Sequence, residues 1–327
     1  MVQLLEVREP GAIPEKAGGS GGQMERAIQR ELPRVRVGRI HAHAVERAEA
    51  INLIIARAQG GLGGFVLTPN VDHVAIAQHS PALVDAYRRS FLSLADGMPI
   101  VLMSRLLRLP LRTKVSGSDV FEPLLARCAD ERLPVFFLGS TADSCERAIL
   151  KLKDRYPDIE ITGYDDSMFD PEHDPATAVH ALHRARASGA RIIICSLPPA
   201  KQVLLSQFMW EYAPAVGVAT GGALSFFVGD VKRAPVWVSR LSFEWLWRLA
   251  HEPARLWKRY LIDDVAALPV FVHMILDRLA GRSLTDVDVV EITGLRTTPP
   301  VPPEPRQRRR RIGRRPPGSE AVQQLAS

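Results

Sequence analysis

The sequence predicts an α/β fold, a mostly parallel sheet with helices on both faces, followed by a C-terminal helical appendage. Two observations carry the core. Between about residues 34 and 230, short β-rich runs alternate with amphipathic helical stretches, the order that builds a parallel sheet through helical crossovers. Most of those runs are continuously apolar rather than alternating, which suits strands buried on both faces. A third observation, a basic and tryptophan-rich block over residues 232–260, predicts the appendage.

In chain order, the expected strands are Val35–Ile40, Phe65–Thr68, Pro134–Leu138, Ile159–Gly163, Arg191–Cys195 and Ala215–Ala219. Each is a short apolar run rich in β-branched or aromatic residues. The expected helices are His43–Ala58, Pro81–Leu92, Ser118–Glu131, Ala142–Tyr156, Pro175–Ser188 and Ala200–Tyr212, where apolar residues recur at helical spacing. Around this core (33–230), residues 1–32 read as a disordered segment with the linker-like Gly18-Gly-Ser-Gly-Gly22. Residues 231–262 form the appendage, 263–295 an extension without an assigned role, and 296–327 a disordered Arg/Pro-rich tail.

The composition narrows the classes. The 327 residues, 46% hydrophobic and 24% charged, are those of a globular protein with a sizeable core. Cys128, Cys145 and Cys195 make neither a disulfide framework nor a C-x-x-C metal site, which fits a reducing, cytoplasmic setting. No secretory signal is evident. The apolar run Val265 to Leu276 is shorter than the roughly 20 residues a spanning helix needs. The formal net charge of +6 resides in the tail, where eight arginines stand against Glu304 and Glu320. Residues 1–295 are formally neutral, so the charge points to the tail as an auxiliary membrane-attracting element rather than to a nucleic-acid-binding body.

Ligands of parallel sheets bind beyond the carboxyl ends of the strands. Five loops lie there: Thr68-Pro69-Asn70, Asp96-Gly97, Gly139-Ser140-Thr141, Ser196 to Gln202 and Thr220-Gly221-Gly222. None is a Walker A motif, and Gly60-Gly-Leu-Gly-Gly64 precedes a strand, so it is no dinucleotide fingerprint. Asp96 ends an apolar run beside a glycine. From the residue alone it suits a general base or a turn and cap aspartate. His41-x-His43 and His180-x-x-His183 have metal-pair spacing but no evident third ligand, and read as surface or helix-face residues. Asp165-Asp166 lies in a turn beside Gly163.

Residues 232–260 hold four of the five tryptophans and seven basic residues against Glu244 and Glu252. Leu241, Trp245 and Leu249 would form an apolar helical stripe, with Arg240, Glu244, Arg248 and Glu252 beside it. Pro253 suits the first turn of a second helix. Tryptophan at a membrane interface and cations at anionic headgroups suit a surface-lying element; two helices packed on the core are the alternative.

These residues together resemble the WecG/TagA/CpsF glycosyltransferases, which transfer a sugar from a nucleotide donor to a polyprenyl-diphosphate-linked acceptor in bacterial surface-polysaccharide synthesis. The resemblance runs from about residue 35 to 262. It rests on Thr68-Pro69-Asn70, Asp96-Gly97, Val115-Ser-Gly-Ser-Asp119, Lys201-Gln202, Gly229-Asp-Val-Lys-Arg-Ala-Pro235, Glu244-Trp-Leu-Trp-Arg-Leu and Glu252-Pro-Ala-Arg-Leu-Trp-Lys-Arg-Tyr260. It implies a Rossmann-like core and an inverting transfer from a UDP-sugar without a metal or other cofactor. It also implies an appendage that brings the enzyme to the inner face of the plasma membrane. Asp96 is then the base that deprotonates the acceptor hydroxyl, Thr68 and Asn70 hold substrate near it, and Gln202 is a donor-side contact. Arg233, Arg248, Arg255 and Arg259 supply countercharge to the diphosphates. Oligomeric state is not legible in these motifs.

The chain departs from the family pattern near this site. Lys114, which the resemblance makes a substrate-binding residue, stands where arginine is usual, keeping the charge but losing the bidentate fork. The usual Gly-x-Gly-x-Pro-Lys-Gln-Glu loop is Ser196-Leu-Pro-Pro-Ala-Lys-Gln-Val203, whose two prolines restrict the backbone. The aspartate loop is Asp96-Gly-Met-Pro99. These changes motivate a second expectation, a catalytically inactive relative that binds nucleotide-sugar or lipid diphosphate as an assembly partner.

Overall fold

The computed structural model describes residues 28–167, 175–198, 214–231, 244–251, 253–258 and 264–292, together with 201, 202, 205, 206, 208, 209, 235 and 238. The tail, and the N-terminal segment up to residue 27, lie outside the described residues, as do parts of the Ser196–Val203 loop and of the appendage.

Among the described residues, nine strands form two sheets. The larger has six parallel strands in the order β4-β3-β8-β7-β5-β6: β3 (Gly64–Leu67), β4 (Leu92–Ser93), β5 (Val135–Leu138), β6 (Ile161–Asp165), β7 (Ile192–Cys195) and β8 (Val216–Ala219). The expected α/β class with a mostly parallel sheet is therefore present. The continuous apolar runs have the cause expected of them. Within β5, Phe136 and Leu138 enter one buried cluster while Val135 and Phe137 enter another on the opposite face. Strand β7 divides the same way, Ile193 and Cys195 against Ile192 and Ile194.

Helices cover both faces. The apolar sides of α1 (Arg47–Gln59), α5 (Gly117–Asp130), α6 (Ala142–Arg155) and α8 (Ala223–Val228) fill one cluster. Those of α2 (Val71–Ala77), α3 (Pro81–Arg89), α4 (Met98–Leu106), α7 (Pro175–Ala187) and α11 (Leu268–Leu279) fill the other. In the appendage, α9 (Glu244–His251) and α10 (Pro253–Lys258) are helical, with Pro253 opening the second as its fixed φ favours. Among the described residues, no helix is long and apolar enough to cross a membrane.

The smaller sheet is antiparallel, in the order β2-β1-β9, from β1 (Ile28–Val37), β2 (Ile40–His43) and β9 (Thr285–Ile292). It departs from the expected boundaries in two ways. The strand expected over Val35–Ile40 is a hairpin, because Gly38, at φ +62°, turns the chain between Val37 and Ile40. Strand β1 begins at Ile28, inside the segment expected to be loose, because β9 of the C-terminal extension pairs along it from Ile292 to Thr285. Pairing with β9 gives the N-terminal backbone the hydrogen-bond partners that its own composition did not advertise.

Candidate active site

In a parallel sheet all carboxyl ends lie along one edge, and the loops expected to carry chemistry meet there. The loop after β3 leads to α2 on one face and the loop after the adjacent β8 leads to α8 on the other. Their divergence opens a crevice between the two strand ends. Thr68 and Thr220 stand at those ends, both buried.

Asp96 is brought to this edge by backbone bonds. The Leu94 amide donates to Leu67 O and the Asp96 amide to Pro69 O, both at 2.8 Å, which continues the β3–β4 pairing into the two loops. The Ala95 carbonyl accepts from the Val115 amide at 2.9 Å, tying in the segment that leads to α5. Gly97 takes the N-cap position of α4, one residue after Asp96. Gly97 adopts φ +134°, and a methyl group on it would lie 4.0 Å from the Asn70 Cβ. Asp96 is half-buried.

Asn70 caps α2, its Oδ1 accepting from the His73 amide at 3.1 Å. On the same helix the His73 Nδ1 lies 2.8 Å from the Tyr87 hydroxyl of α3. Burial pushes the Tyr87 phenol well above its usual range, and the nearby Asp96 charge raises it further. Tyr87 therefore stays protonated, and its hydroxyl and His73 Nδ1 share this hydrogen bond. Neither Tyr87 nor His73 stood out in the sequence. Tyr87 occupies an apolar helix position like any core aromatic, and only the fold sets it beneath the Asp96 loop.

The other predicted residues divide. Lys114 Nζ lies 3.7 Å from Asp119 at the start of α5. There Ser116 and Asp119 form a reciprocal capping box, the Ser116 Oγ accepting from the Asp119 amide and Asp119 Oδ2 accepting from the Ser116 amide. Gln202 is 2% exposed and its Nε2 donates to Leu197 O at 2.7 Å, so it holds its own loop closed after β7. Arg248 lies in α9 and Arg255 in α10. Arg233 and Arg259 lie outside the described residues. In the family-like block Gly229–Pro235, Asp230 accepts from Ser144 Oγ at 2.7 Å and from Arg147 at 2.5 Å, joining the end of α8 to α6. Arg147 and Ser144 hold the Asp230 carboxyl below the usual carboxylate range.

The metal-like motifs resolve differently from one another. Asp165, at the end of β6, is buried and accepts from the Ser167 amide and from Arg184, a structural arrangement. His180 and His183 are exposed on α7. The third partner that the His41-x-His43 spacing lacked is Asp288 of β9, with donor atoms of all three within 4.8 Å of one another. Yet His43 Nδ1 accepts from the Ser93 amide at 3.0 Å, so its proton sits on Nε2 and is donated to Asp288 Oδ2, also at 3.0 Å. Both ring nitrogens of His43 are thus engaged, by Asp288 and by the Ser93 amide, while His41 stands outside that chain with its Nε2 unpartnered among the described residues. A separate cavity of about 410 Å³ lies between the Gly38 turn, the end of α2 and α11, and no predicted site residue lines it.

Comparison with known proteins adds to this geometry. A family model described as the glycosyl transferase WecG/TagA/CpsF family matches residues 35–283. A Bacillus subtilis (strain 168) protein named N-acetylglucosaminyldiphosphoundecaprenol N-acetyl-beta-D-mannosaminyltransferase is 31% identical over 209 residues, covering 64% of this chain and 79% of that protein. A Bacillus spizizenii protein of the same name is 28% identical over 214 residues, covering 65% of this chain and 79% of its own length.

Proposed function

The chain belongs to the WecG/TagA/CpsF family of glycosyltransferases, and on that premise we propose that it moves a hexosyl or N-acetylhexosaminyl group from a UDP-sugar to a polyprenyl-diphosphate-linked saccharide. The names of the two relatives, which specify an N-acetylglucosaminyl-diphosphoundecaprenol acceptor, support the lipid-linked acceptor class. On this proposal the reaction runs at the inner face of the plasma membrane, with the basic aromatic appendage lying on the anionic surface.

The observation that carries the reading is the convergence of the Asp96 and Asn70 loops at the carboxyl edge beside the start of α5. In the proposed step Asp96 accepts the proton of the acceptor hydroxyl. The acceptor oxygen forms the new bond at the anomeric carbon as the bond to the UDP oxygen breaks on the opposite face, with inversion. Thr68 and Asn70 orient the acceptor, and Gln202 shapes the donor side through the loop it closes. Lys114 contacts substrate at the start of α5, and Arg233, Arg248, Arg255 and Arg259 supply countercharge to the diphosphates in place of a metal.

A panel of UDP-sugars offered with polyprenyl-diphosphate N-acetylglucosamine, with product mass as readout, tests the reading. Wild type should transfer from at least one donor, and Asp96→Asn should lower kcat by about 10²- to 10⁴-fold. Equal transfer by Asp96→Asn would remove Asp96 from the role of base. Tight donor binding with no turnover across the panel would favour the inactive-relative reading, which the two prolines of the Ser196–Val203 loop motivate.

A further inference from the structure

We propose that His43 and Asp288 are positioning residues for Asp96, a clamp by which the C-terminal strand β9 holds the strand that carries the Asp96 loop. The proposal rests on the reading of Asp96 as base. Strand β4 is only two residues long and lies at the edge of the large sheet, paired on one side with β3. Among the described residues its outer side has no further strand of that sheet and meets β2 of the smaller sheet only at an isolated His43–Leu94 bridge. There the buried imidazole of His43, at the end of β2, supplies an acceptor, its Nδ1 accepting the Ser93 amide at 3.0 Å. Ser93 Oγ adds a bond to His41 O at 2.5 Å, and His43 bridges to Leu94 in parallel register. Ser93 precedes Asp96 by three residues. An edge strand this short has few ladder bonds of its own, so the side-chain acceptor on its outer side supplies much of what keeps it in register.

Asp288 sets which nitrogen of His43 does this. By accepting Nε2–H at 3.0 Å it keeps Nδ1 unprotonated and fixes the ring's rotation. Asp288 is itself held by Arg34, whose Nη1 lies 3.3 Å away while its Nε pairs with Asp286. The order of contacts is thus Arg34, Asp288, His43, Ser93 and then the Asp96 loop. Asp288 lies beyond residues 35–283, the part of the chain that the family model matches. This support for the site comes from the extension, which had no assigned role.

Transfer kinetics of the full chain with the donor found active, alongside thermal melts, test the clamp. His43→Leu and Asp288→Ala should each lower kcat at least about tenfold while leaving the donor KM within about twofold, since a displaced base costs rate rather than donor binding. His43→Asn, whose Oδ1 can accept the Ser93 amide, should recover most of the kcat lost in His43→Leu. In an Asp96→Asn background, His43→Leu should lower kcat no further, because its effect runs through Asp96. Wild-type kcat in His43→Leu, no recovery in His43→Asn, or a full additional loss in the Asp96→Asn background would each overturn the clamp. If Asp96→Asn itself keeps wild-type kcat, the base reading falls and the positioning role falls with it. A crippled Asp96→Asn beside a fully active His43→Leu would sink the clamp alone.

Discussion

Gly117, the first residue of α5, lies against Thr220 at the end of β8 so closely that a methyl group on Gly117 would sit 2.7 Å from the Thr220 Cα and 2.8 Å from the Ala219 carbonyl oxygen. These are backbone atoms in a buried strand end, and no side chain can swing away to make room. The contact joins the Val115-Ser-Gly-Ser-Asp119 motif to the crevice wall, which explains why glycine stands there. Gly117→Ala should destabilise the fold by about 1–3 kcal/mol through overpacking, despite alanine's better helix propensity. A thermal or urea melt checks this, and an unchanged midpoint would contradict the contact.

Asn70 serves a helix cap and, on the proposed function, a substrate. The two roles separate by substitution. Asn70→Ala should lose about 1 kcal/mol of stability with the cap. Asn70→Asp keeps the oxygen that accepts the His73 amide, so its melt should match wild type while transfer falls. A full-rate Asn70→Asp would confine Asn70 to capping.

Gln202 is turned inward to Leu197 O. Gln202→Ala leaves that buried carbonyl without its donor, a loss of about 1–3 kcal/mol. With the loop after β7 loosened, the donor KM should rise more than kcat falls. Steady-state kinetics at varied UDP-sugar distinguish this from a direct chemical role, which would lower kcat first.

His41 predicts a pH dependence. Burial, aided by the neighbouring His43 and Arg34, lowers its pKa from 6.5 to about 4. Its Nε2 is buried without a hydrogen-bond partner among the described residues. The unfolded chain thus binds this proton more tightly than the folded one. The stability associated with a neutral His41 is complete above about pH 6.5 and is lost as pH falls toward 4, by up to about 3 kcal/mol. Chemical denaturation at pH 7, 5.5 and 4.5 should show the fall, and His41→Leu should flatten it. A wild-type profile in His41→Leu would assign the acid sensitivity elsewhere.

Much of the site was legible because its signals are local. Phe65-Val-Leu, Val135-Phe-Phe-Leu and Ile192-Ile-Ile-Cys announce doubly buried strands within four residues each, and the loops that follow them name the edge where Asp96 and Asn70 meet. Tyr87 was not legible. An aromatic on the apolar side of a helix has the same pattern whether it fills the core or touches a functional loop. Gln202 was legible as a polar residue in the right loop, but not as a group whose amide faces inward.

The sequence by itself determined the sheet, its two covered faces and the set of loops along its carboxyl edge, since burial on both faces writes itself into consecutive residues. Only the tertiary structure decided that β9 returns to β1, and that Asp288 meets His43 across 245 residues of chain. His41-x-His43 lacked a partner in the sequence because strand pairing depends on backbone hydrogen bonds that any residue can make. Such pairing leaves no periodic mark linking two segments so far apart.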